Sequence, residues 1–400
     1  MRGYLYVLLV AAAVTFLTTP LARRLARRIG AFTPVRDRDV HTVPTPRMGG
    51  TAMLAGFLVA LLTASRIPFL APLFRDNPAS WAVMAGAAAV CLLGVADDLW
   101  SLDPLTKVAG QALIAGMMAW QGIQLVSLPI AGVTIPSSTT LISLTVLTVL
   151  VTINAVNFVD GLDGLAAGIV GIAASAFFVY SYLLSRDASP NDYSSLATLV
   201  TAALVGSCVG FLPHNLHPAR VFMGDSGSML IGLLLASSTI AITGQVDPNV
   251  VSQAQIVPAF VPVALPLAVL ALPLIDLVLA VLRRTRAGRS PFAPDKHHLH
   301  HRMLELGHSH GRAVLIMYVW AATAAFGVAS VAFVPVVTSL ALGLVAVVVA
   351  TVLTLGPLRA RRHGAVGAPV AVAEASALQP ASQAGPAGPA AADAVRAGGA

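Results

Sequence analysis

Long apolar segments recur along almost the whole chain, and they restrict its possible folds more than any other feature. A transmembrane helix needs about 20 predominantly apolar residues. Runs of this length follow one another up to about Leu355, separated by short polar or Pro/Gly-rich joints. Hydrophobic residues make up 57% of the 400 positions and charged residues only 10%, which is outside the range of a water-soluble globular protein. The sequence therefore predicts an all-α polytopic membrane protein.

The apolar pattern predicts about eleven transmembrane helices. Their approximate spans are 3–22, 48–65, 80–96, 105–122, 138–157, 164–185, 194–213, 226–243, 256–282, 313–333 and 335–356. The first span is followed at once by arginines and lacks a basic stretch before it, so we interpret it as a retained helix rather than a signal peptide. Residues 1–356 are predicted to form a transmembrane domain. Residues 357–400, rich in Ala, Pro and Gly, are predicted to form a disordered cytoplasmic tail.

Lys and Arg are distributed unevenly between alternate joints. Loops rich in these residues remain in the cytoplasm far more readily than they are translocated. Eleven helices with the N-terminus outside and the C-terminus in the cytoplasm place 20 of the 24 Lys and Arg residues on the cytoplasmic side. The formal net charge of +7 follows from this bias and from a basic face towards anionic lipid. Nucleic-acid binding is therefore not needed to explain it.

Two adjacent acids, Asp97 and Asp98, follow the third span. Like charges this close repel each other unless a cation, a proton or a basic group intervenes. A divalent metal, or a metal bound to a diphosphate, would supply the missing charge; a solvated helix end is the alternative. Lys107, which begins the next span, could hold a phosphate or neutralise the pair.

A second pattern repeats a polar residue at every third position, through Asn154, Asn157, Asp160 and Asp163, from the inner end of the fifth span into the turn before the sixth. Such spacing stacks side chains on one helix face. Two amides and two carboxylates facing a membrane core are costly without a ligand or metal, so we favour a binding role over a structural one. Asp225 opens the eighth span within a Gly-Asp-Ser-Gly-Ser motif. Helix capping would explain one of these polar residues, but not the whole cluster.

A basic, donor-rich stretch follows the ninth span, from Asp295 to Arg302, and includes His298, His300 and His301. It contains no Cys and has neither of the usual zinc-site spacings. His, Lys and Arg together suit a diphosphate better.

Six isolated residues are expected to have structural roles. The histidines among them are predicted at interfaces or in solvent, and the cysteines as small buried hydrophobic residues. They are His214, His217, His308, His310, Cys91 and Cys208.

Five of these motifs occur together in the order of a known family. They are His41...Pro46-Arg-Met-Gly-Gly50, Asp97-Asp98, Asn154-x-x-Asn157-x-x-Asp160-Gly-Leu-Asp163-Gly, Gly224-Asp225-Ser-Gly-Ser and His298-x-His300-His301. Over about residues 1 to 355 the chain resembles the polyprenyl-phosphate N-acetylhexosamine-1-phosphate transferases. The Leu-His-His-Arg ending of the histidine motif is similar to the N-acetylglucosamine branch. The alternatives are the branch that uses the muramoyl-pentapeptide donor and the use of another UDP-N-acetylhexosamine donor.

The resemblance implies an integral membrane enzyme of ten or eleven helices in the bacterial plasma (inner) membrane, with its active site on the cytoplasmic face. It implies transfer of GlcNAc-1-phosphate from UDP-GlcNAc to a polyprenyl (undecaprenyl or decaprenyl) phosphate, with release of UMP. Mg2+ is the implied cofactor, with Mn2+ as the alternative. Whether the protein is a homodimer is left open.

The resemblance also implies roles for individual residues. Asp225 is assigned to Mg2+, and Asp97 and Asp98 to activating the lipid phosphate or supporting the metal, which makes these three the predicted catalytic and metal-binding residues. Asp103 is left out because its spacing differs from that in some relatives. The predicted substrate-binding residues are Lys107, Asn154, Asn157, Asp160, Asp163, His298, His300, His301, Arg302 and His41.

The implied reaction exchanges one phosphoanhydride for another and needs no ATP. Consistent with this, neither lysine is preceded by Gly, as a Walker-type phosphate loop would require. A phosphate monoester with a second pKa near ~6 is largely ionised already, which favours direct displacement over a covalent Asp-phosphate. A secondary transporter is a rival interpretation, but it should carry ionisable residues near the bilayer midplane and two similar halves. Only Asp276 is clearly within a span.

Overall fold

The computed structural model describes residues 1–32, 44–75, 77–126, 137–188, 194–243 and 308–364, and seven isolated positions between 264 and 288. In these ranges the named elements are all helices. They are α1 Arg2–Ile29, α2 Gly49–Ala64, α3 Pro72–Arg75, α4 Ala79–Trp100, α5 Pro104–Trp120, α6 Ser138–Val159, α7 Leu165–Ala188, α8 Leu196–Asn215, α9 Gly224–Thr243, α10 His310–Ser330 and α11 Val336–Gly364.

The predicted all-α multi-pass architecture is confirmed. Within the described residues, eight helices are long and apolar enough to cross a membrane. The apolar helix α2 has 16 residues and α5 has 17, so both are shorter. Ten of the predicted spans coincide with helices, whereas span 256–282 lies almost wholly outside the described residues. The count of eleven and the orientation stay predictions.

Two element boundaries differ from the prediction. Helix α4 continues to Trp100, so Asp97 and Asp98 lie in its last turn instead of after it. Ser101 follows as the C-cap and has a positive φ of 50°, and the Asp97 carboxylate accepts a hydrogen bond from the backbone N–H of Leu102 at 2.8 Å. At the other end of the chain, α11 continues past residue 356 to Gly364. The predicted disordered tail of residues 357–400 stays a prediction, and from residue 365 onwards it lies outside the described residues.

Helix α9 lies at the centre of the bundle. It packs against α2, α4, α6 and α8, and most of its residues are buried. Helix α11 is the opposite case, because most of its described residues, such as Val337 and Leu340, are exposed and apolar. An apolar exposed surface suits contact with lipid tails.

Small residues let the neighbouring helices approach the N-terminal end of α9 closely. A Cβ atom on Gly50 would lie 2.2 Å from the backbone nitrogen of Gly227, and one on Gly94 would lie 2.4 Å from the Cα of Ser226. Backbone contacts this close are typical of small residues between membrane helices. They place the start of α2 and the last turns of α4 directly against the first turn of α9.

The segment before α2 is paired with the segment before α9. The backbone N–H of Phe222 donates to the Pro46 carbonyl at 2.8 Å, and the N–H groups of Gly49 and Gly50 donate to the carbonyls of Phe222 and Met223, both at 3.0 Å. These bonds bring the chain around Arg47 to the same end of the bundle. The starts of α2 and α9 and the last turns of α4 therefore meet there.

Candidate active site

Lys107 lies between two carboxylates at this end of the bundle. Its Nζ atom is 2.8 Å from Oδ2 of Asp97 and 3.0 Å from Oδ2 of Asp225. The side chains are mostly shielded from solvent, with exposed fractions of 15% for Lys107, 7% for Asp97 and 24% for Asp225. Of the two roles that the sequence leaves open for Lys107, phosphate binding stays a prediction, and an ion pair with Asp97 is observed. Lys107 also binds the third acid, which comes from a distant part of the chain.

The second oxygen of Asp225 contacts the amide of Asn157. The Nδ2 group of Asn157 donates to Oδ1 of Asp225 and also lies 2.9 Å from Oγ of Ser228. Asn157 lies in the last turn of α6, so this contact joins α6 to the first turn of α9. The predicted site residues Asp97, Lys107, Asn157 and Asp225 therefore form one cluster, which we call the Asp225 cluster.

Asp98 has different hydrogen-bond partners from the adjacent Asp97. Its Oδ1 atom accepts a hydrogen bond from the backbone N–H of Asp225 at 2.9 Å, and its Oδ2 atom accepts one from the N–H of Ser226 at 3.1 Å. The side chain has no exposed area, and the guanidinium of Arg47 lies 3.9 Å away. Arg47 was not among the predicted site residues, although it lies in the Pro-Arg-Met-Gly-Gly motif, one of the five motifs that carry the family resemblance.

The four polar residues repeated at every third position do not share one environment. Asn154 donates from Nδ2 to Oε1 of Gln111 and to the Leu150 carbonyl, both at 2.8 Å. It therefore links α6 to α5 within the bundle. The expectation that all four stack on one helix face is wrong for Asp160 and Asp163, because α6 ends at Val159.

Asp163 is buried and contacts the joint between α8 and α9. Its Oδ2 atom is 2.8 Å from Nδ1 of His217 and accepts a hydrogen bond from the Ala219 N–H at 3.1 Å. The rings of His217 and His310 stack with their centroids 4.2 Å apart. The His217 side chain is 41% exposed, so its predicted position at an interface or in solvent is confirmed, whereas its contact with a predicted substrate-binding acid was not predicted.

The other two isolated histidines lie at helix interfaces, as predicted. Nε2 of His214 is 3.1 Å from the Phe16 carbonyl, and Nε2 of His308 is 3.0 Å from the Thr354 carbonyl. Both cysteines are buried and free, also as predicted.

Asp160 directly follows the last residue of α6, and the charged residues of the site shift the pKa of its carboxyl group. Burial raises the pKa of its carboxyl group to about 7, and the negative charges of Asp225 and Asp98 act in the same direction. The positive charge of Arg47 opposes this increase in pKa. The site thus carries more negative than positive charge among its described residues.

Asp103 lies outside the cluster, as expected. Its Oδ1 atom accepts hydrogen bonds from the N–H groups of Leu105 and Thr106, both at 3.0 Å. It is therefore the N-cap of α5, a role that needs no ligand.

Five predicted site residues lie outside the described part of the chain. Their predicted roles stay predictions. They are His41, His298, His300, His301 and Arg302.

The helices that carry the Asp225 cluster match a known family. The sequence profile of glycosyl transferase family 4 matches residues 80–243. Over 88% of its length, the chain is 44% identical to the decaprenyl-phosphate N-acetylglucosaminephosphotransferase of Mycobacterium tuberculosis, and the match covers 88% of that protein. The chain belongs to glycosyl transferase family 4.

Two further relatives match less closely. The chain is 29% identical to a probable undecaprenyl-phosphate N-acetylglucosaminyl 1-phosphate transferase of Bacillus subtilis, over 78% of the chain and 81% of that protein. It is 30% identical to a phospho-N-acetylmuramoyl-pentapeptide-transferase of Desulforudis audaxviator, over 58% of the chain and 75% of that protein. The resemblance found from the motifs, including its N-acetylglucosamine branch, is confirmed.

The donor set of this family 4 protein suits a hard divalent cation. Asp97 and Asp225 offer carboxylate oxygens, and an amide oxygen of Asn157 would be a further oxygen ligand. Asp225 is the most exposed of these acids, so a ligand can reach it. The excess negative charge around Asp160 would also be relieved by a cation.

Proposed function

We propose that the protein transfers GlcNAc-1-phosphate from UDP-GlcNAc to decaprenyl or undecaprenyl phosphate, which yields polyprenyl-diphosphate-GlcNAc and UMP. The observation that carries the proposal is the meeting of Asp97, Lys107, Asn157 and Asp225 at one end of a helical bundle. A cluster of this kind can align two anions at a membrane surface. Relatives with 44% and 29% identity are named for GlcNAc-phosphate transfer to decaprenyl and undecaprenyl phosphate.

The proposed reaction is a direct displacement. An oxygen of the lipid phosphate attacks the β-phosphorus of UDP-GlcNAc and forms a new P–O bond. The anhydride bond between the β-phosphorus and the bridging oxygen breaks, and its electron pair leaves with UMP. The ionised lipid phosphate needs no strong base. The protein therefore has to orient the two phosphates and balance their charge.

Asp225 and Asp97, with the amide oxygen of Asn157, would hold a Mg2+ ion. When bound, the ion would neutralise the diphosphate and help to orient it. Lys107 and Arg47 are the cations of the described site, and both suit a phosphate. Lys107 is largely shielded from water, which strengthens its attraction to an anion.

The active site is proposed to face the cytoplasm of a bacterial plasma membrane. The distribution of Lys and Arg supports this orientation. UDP-sugars are charged and water-soluble, so an active site at a helix end is accessible to them from water.

The experiment that tests the function is a transfer assay with purified protein, polyprenyl phosphate and three radiolabelled donors. Transfer from UDP-GlcNAc should exceed transfer from UDP-glucose by at least about a hundredfold, because a site that binds an acetamido group is left with unpaired polar groups when it is missing. UDP-MurNAc-pentapeptide should not be used. Robust turnover of the pentapeptide donor, with UDP-GlcNAc inert, would refute the proposed donor and leave the family assignment intact.

The histidine motif outside the described residues is proposed to bind the sugar or the diphosphate. Its short basic stretch contains a single acid, Asp295, and suits a small donor better than a peptide-bearing one. His300→Ala and His301→Ala should slow transfer without changing expression. Normal transfer by both variants would remove the motif from the site.

A further inference from the structure

We propose that Asp98 is a positioning residue for Asp225 and does not bind metal or phosphate itself. Its carboxylate holds the first turn of α9 from the neighbouring helix α4, and so fixes the direction in which Asp225 points. The expected effect of Asp98 on turnover rests on the proposed function of Asp225, whereas its expected effect on the first turn of α9 does not.

The first turn of any helix has backbone N–H groups without partners inside the helix. In most helices a Ser, Thr, Asp or Asn at the helix start accepts one of these bonds. Helix α9 is preceded by Met223 and begins with Gly224, and neither side chain has an oxygen. The two oxygens of Asp98 replace such a cap, since they accept the N–H groups of Asp225 and Ser226.

The backbone around Gly224 is shaped to receive this carboxylate. Gly224 has a positive φ of 71°, and a Cβ atom added to it would lie 2.5 Å from Oδ2 of Asp98. Glycine is the residue that adopts this conformation without strain. A negative charge at the start of a helix is also favoured by the helix dipole. Geometry and electrostatics therefore both fit a cap that comes from another helix.

Asp97 and Asp98 are adjacent and chemically identical, but they have different partners. Asp97 bonds the Lys107 ammonium and keeps 7% of its side chain exposed. Asp98 has no exposed side-chain area, and each of its oxygens already accepts a backbone hydrogen bond. Burying a carboxylate costs free energy unless it is paired and hydrogen-bonded. The two N–H groups and nearby Arg47 supply those partners.

Holding the backbone of Asp225 matters because its side chain has two separate contacts. One oxygen faces Lys107 and the other faces Asn157. A change in the first turn of α9 would move both oxygens together. A misplacement of about 1 Å in a reacting group can lower a rate by roughly a hundredfold.

The test compares Asp98→Asn with Asp97→Asn and Asp225→Asn in the full-length protein in detergent. Hydrogen exchange is measured by mass spectrometry on peptides that contain the amides of Asp225 and Ser226. In Asp98→Asn one accepting oxygen is replaced by an amino group, so these amides should exchange at least about tenfold faster. In Asp97→Asn their exchange should stay within about twofold of the original rate, because Asp97 does not bond them. Unchanged exchange in Asp98→Asn would overturn the proposal.

Binding of Mn2+, followed by electron paramagnetic resonance, separates positioning from direct metal binding. Asp98→Asn should lower the Mn2+ affinity by no more than about threefold to tenfold relative to the original protein. Its turnover per folded molecule should fall by about tenfold or more. A purely structural role would lower the folded fraction and leave that turnover unchanged. Loss of Mn2+ binding equal to that of Asp225→Asn would make Asp98 a ligand and overturn the proposal.

The same set of variants distinguishes failure of this inference from failure of the proposed function. If Asp225→Asn binds Mn2+ as well as the original protein, the metal role of Asp225 is wrong, and the exchange comparison still decides the role of Asp98. If Asp98→Asn does not fold, Asp98→Glu is measured instead, because it keeps both acceptor oxygens on a side chain one methylene longer. Original exchange and original turnover in Asp98→Glu would then overturn the proposal, since a displaced carboxylate could not hold Asp225 equally well.

Discussion

The ammonium nitrogen of Lys107 lies 3.0 Å from a carboxylate oxygen of Asp225, although the two residues are 118 positions apart. The same nitrogen is 2.8 Å from Asp97. One lysine thus joins α4, α5 and α9 at the end of the bundle where the predicted catalytic residues lie. In the proposed function, its positive charge lies beside the two carboxylates that would hold the metal ion.

Replacing Lys107 with Met should remove this charge while keeping a side chain of similar length. Asp97 and Asp225 would then face each other without a counter-charge. We expect turnover to fall by about a hundredfold and the Mg2+ concentration for half-maximal activity to decrease, since no ammonium group competes with the metal. Steady-state assays over a range of Mg2+ concentrations measure both effects. Arg75→Met, which removes an exposed charge outside the Asp225 cluster, is the control and should leave both values unchanged.

Replacing Asp225 with Asn should abolish nearly all turnover without unfolding the protein. The volume of the side chain is unchanged, but the negative charge that would hold Mg2+ and pair with Lys107 is lost. We expect a decrease of at least about a hundredfold. Asp103→Asn is the matched control, because Asn caps a helix about as well as Asp. Equal activities of the two variants at limiting Mg2+ would remove Asp225 from the site.

Asn154 and Asn157 lie one helical turn apart but should respond differently to replacement with Ala. Asn157→Ala removes a contact with Asp225 and should lower turnover at least about tenfold, with little change in stability. Asn154→Ala leaves Gln111 without its partner and should reduce the free energy of unfolding by about 1 kcal/mol. Thermal unfolding in detergent and turnover per folded molecule separate the two effects. The reverse pattern would contradict the contacts described above.

The orientation can be tested at the two ends of α5. Ser101 and Gln121 flank this helix, and both are exposed. In intact cells Ser101→Cys should be protected from a membrane-impermeant thiol reagent, whereas Gln121→Cys should react, because the joints before and after α5 are predicted to lie on opposite sides of the membrane. The native cysteines Cys91 and Cys208 are buried and should stay unlabelled. Labelling of Ser101→Cys alone would reverse the predicted orientation, and labelling of both or neither would show that α5 does not span the membrane as predicted.

Much of the site could be predicted because charged residues are rare in a chain of this composition. Asp97, Lys107, Asn157 and Asp225 were selected from the sequence, and the structure brings them together. Arg47 and His217 were missed because an arginine or a histidine in a polar joint has no local pattern that distinguishes a site residue from a solvated one. Asn154 was selected, yet it pairs with Gln111. Spacing predicts which helix face a residue shares, but not which helix packs against that face.

The sequence by itself determined that this chain forms a bundle of membrane helices with its acids at their ends. Lipid satisfies no backbone hydrogen bonds, so each apolar run of sufficient length has to be helical, and this depends only on contiguous residues. The tertiary structure alone decided how Asp97 and Asp98 divide their roles. Successive residues point about 100° apart around a helix, so one carboxylate meets Lys107 and the other meets the first turn of α9. That difference depends on how α4 packs against a helix about 127 positions further along the chain, which no local pattern encodes.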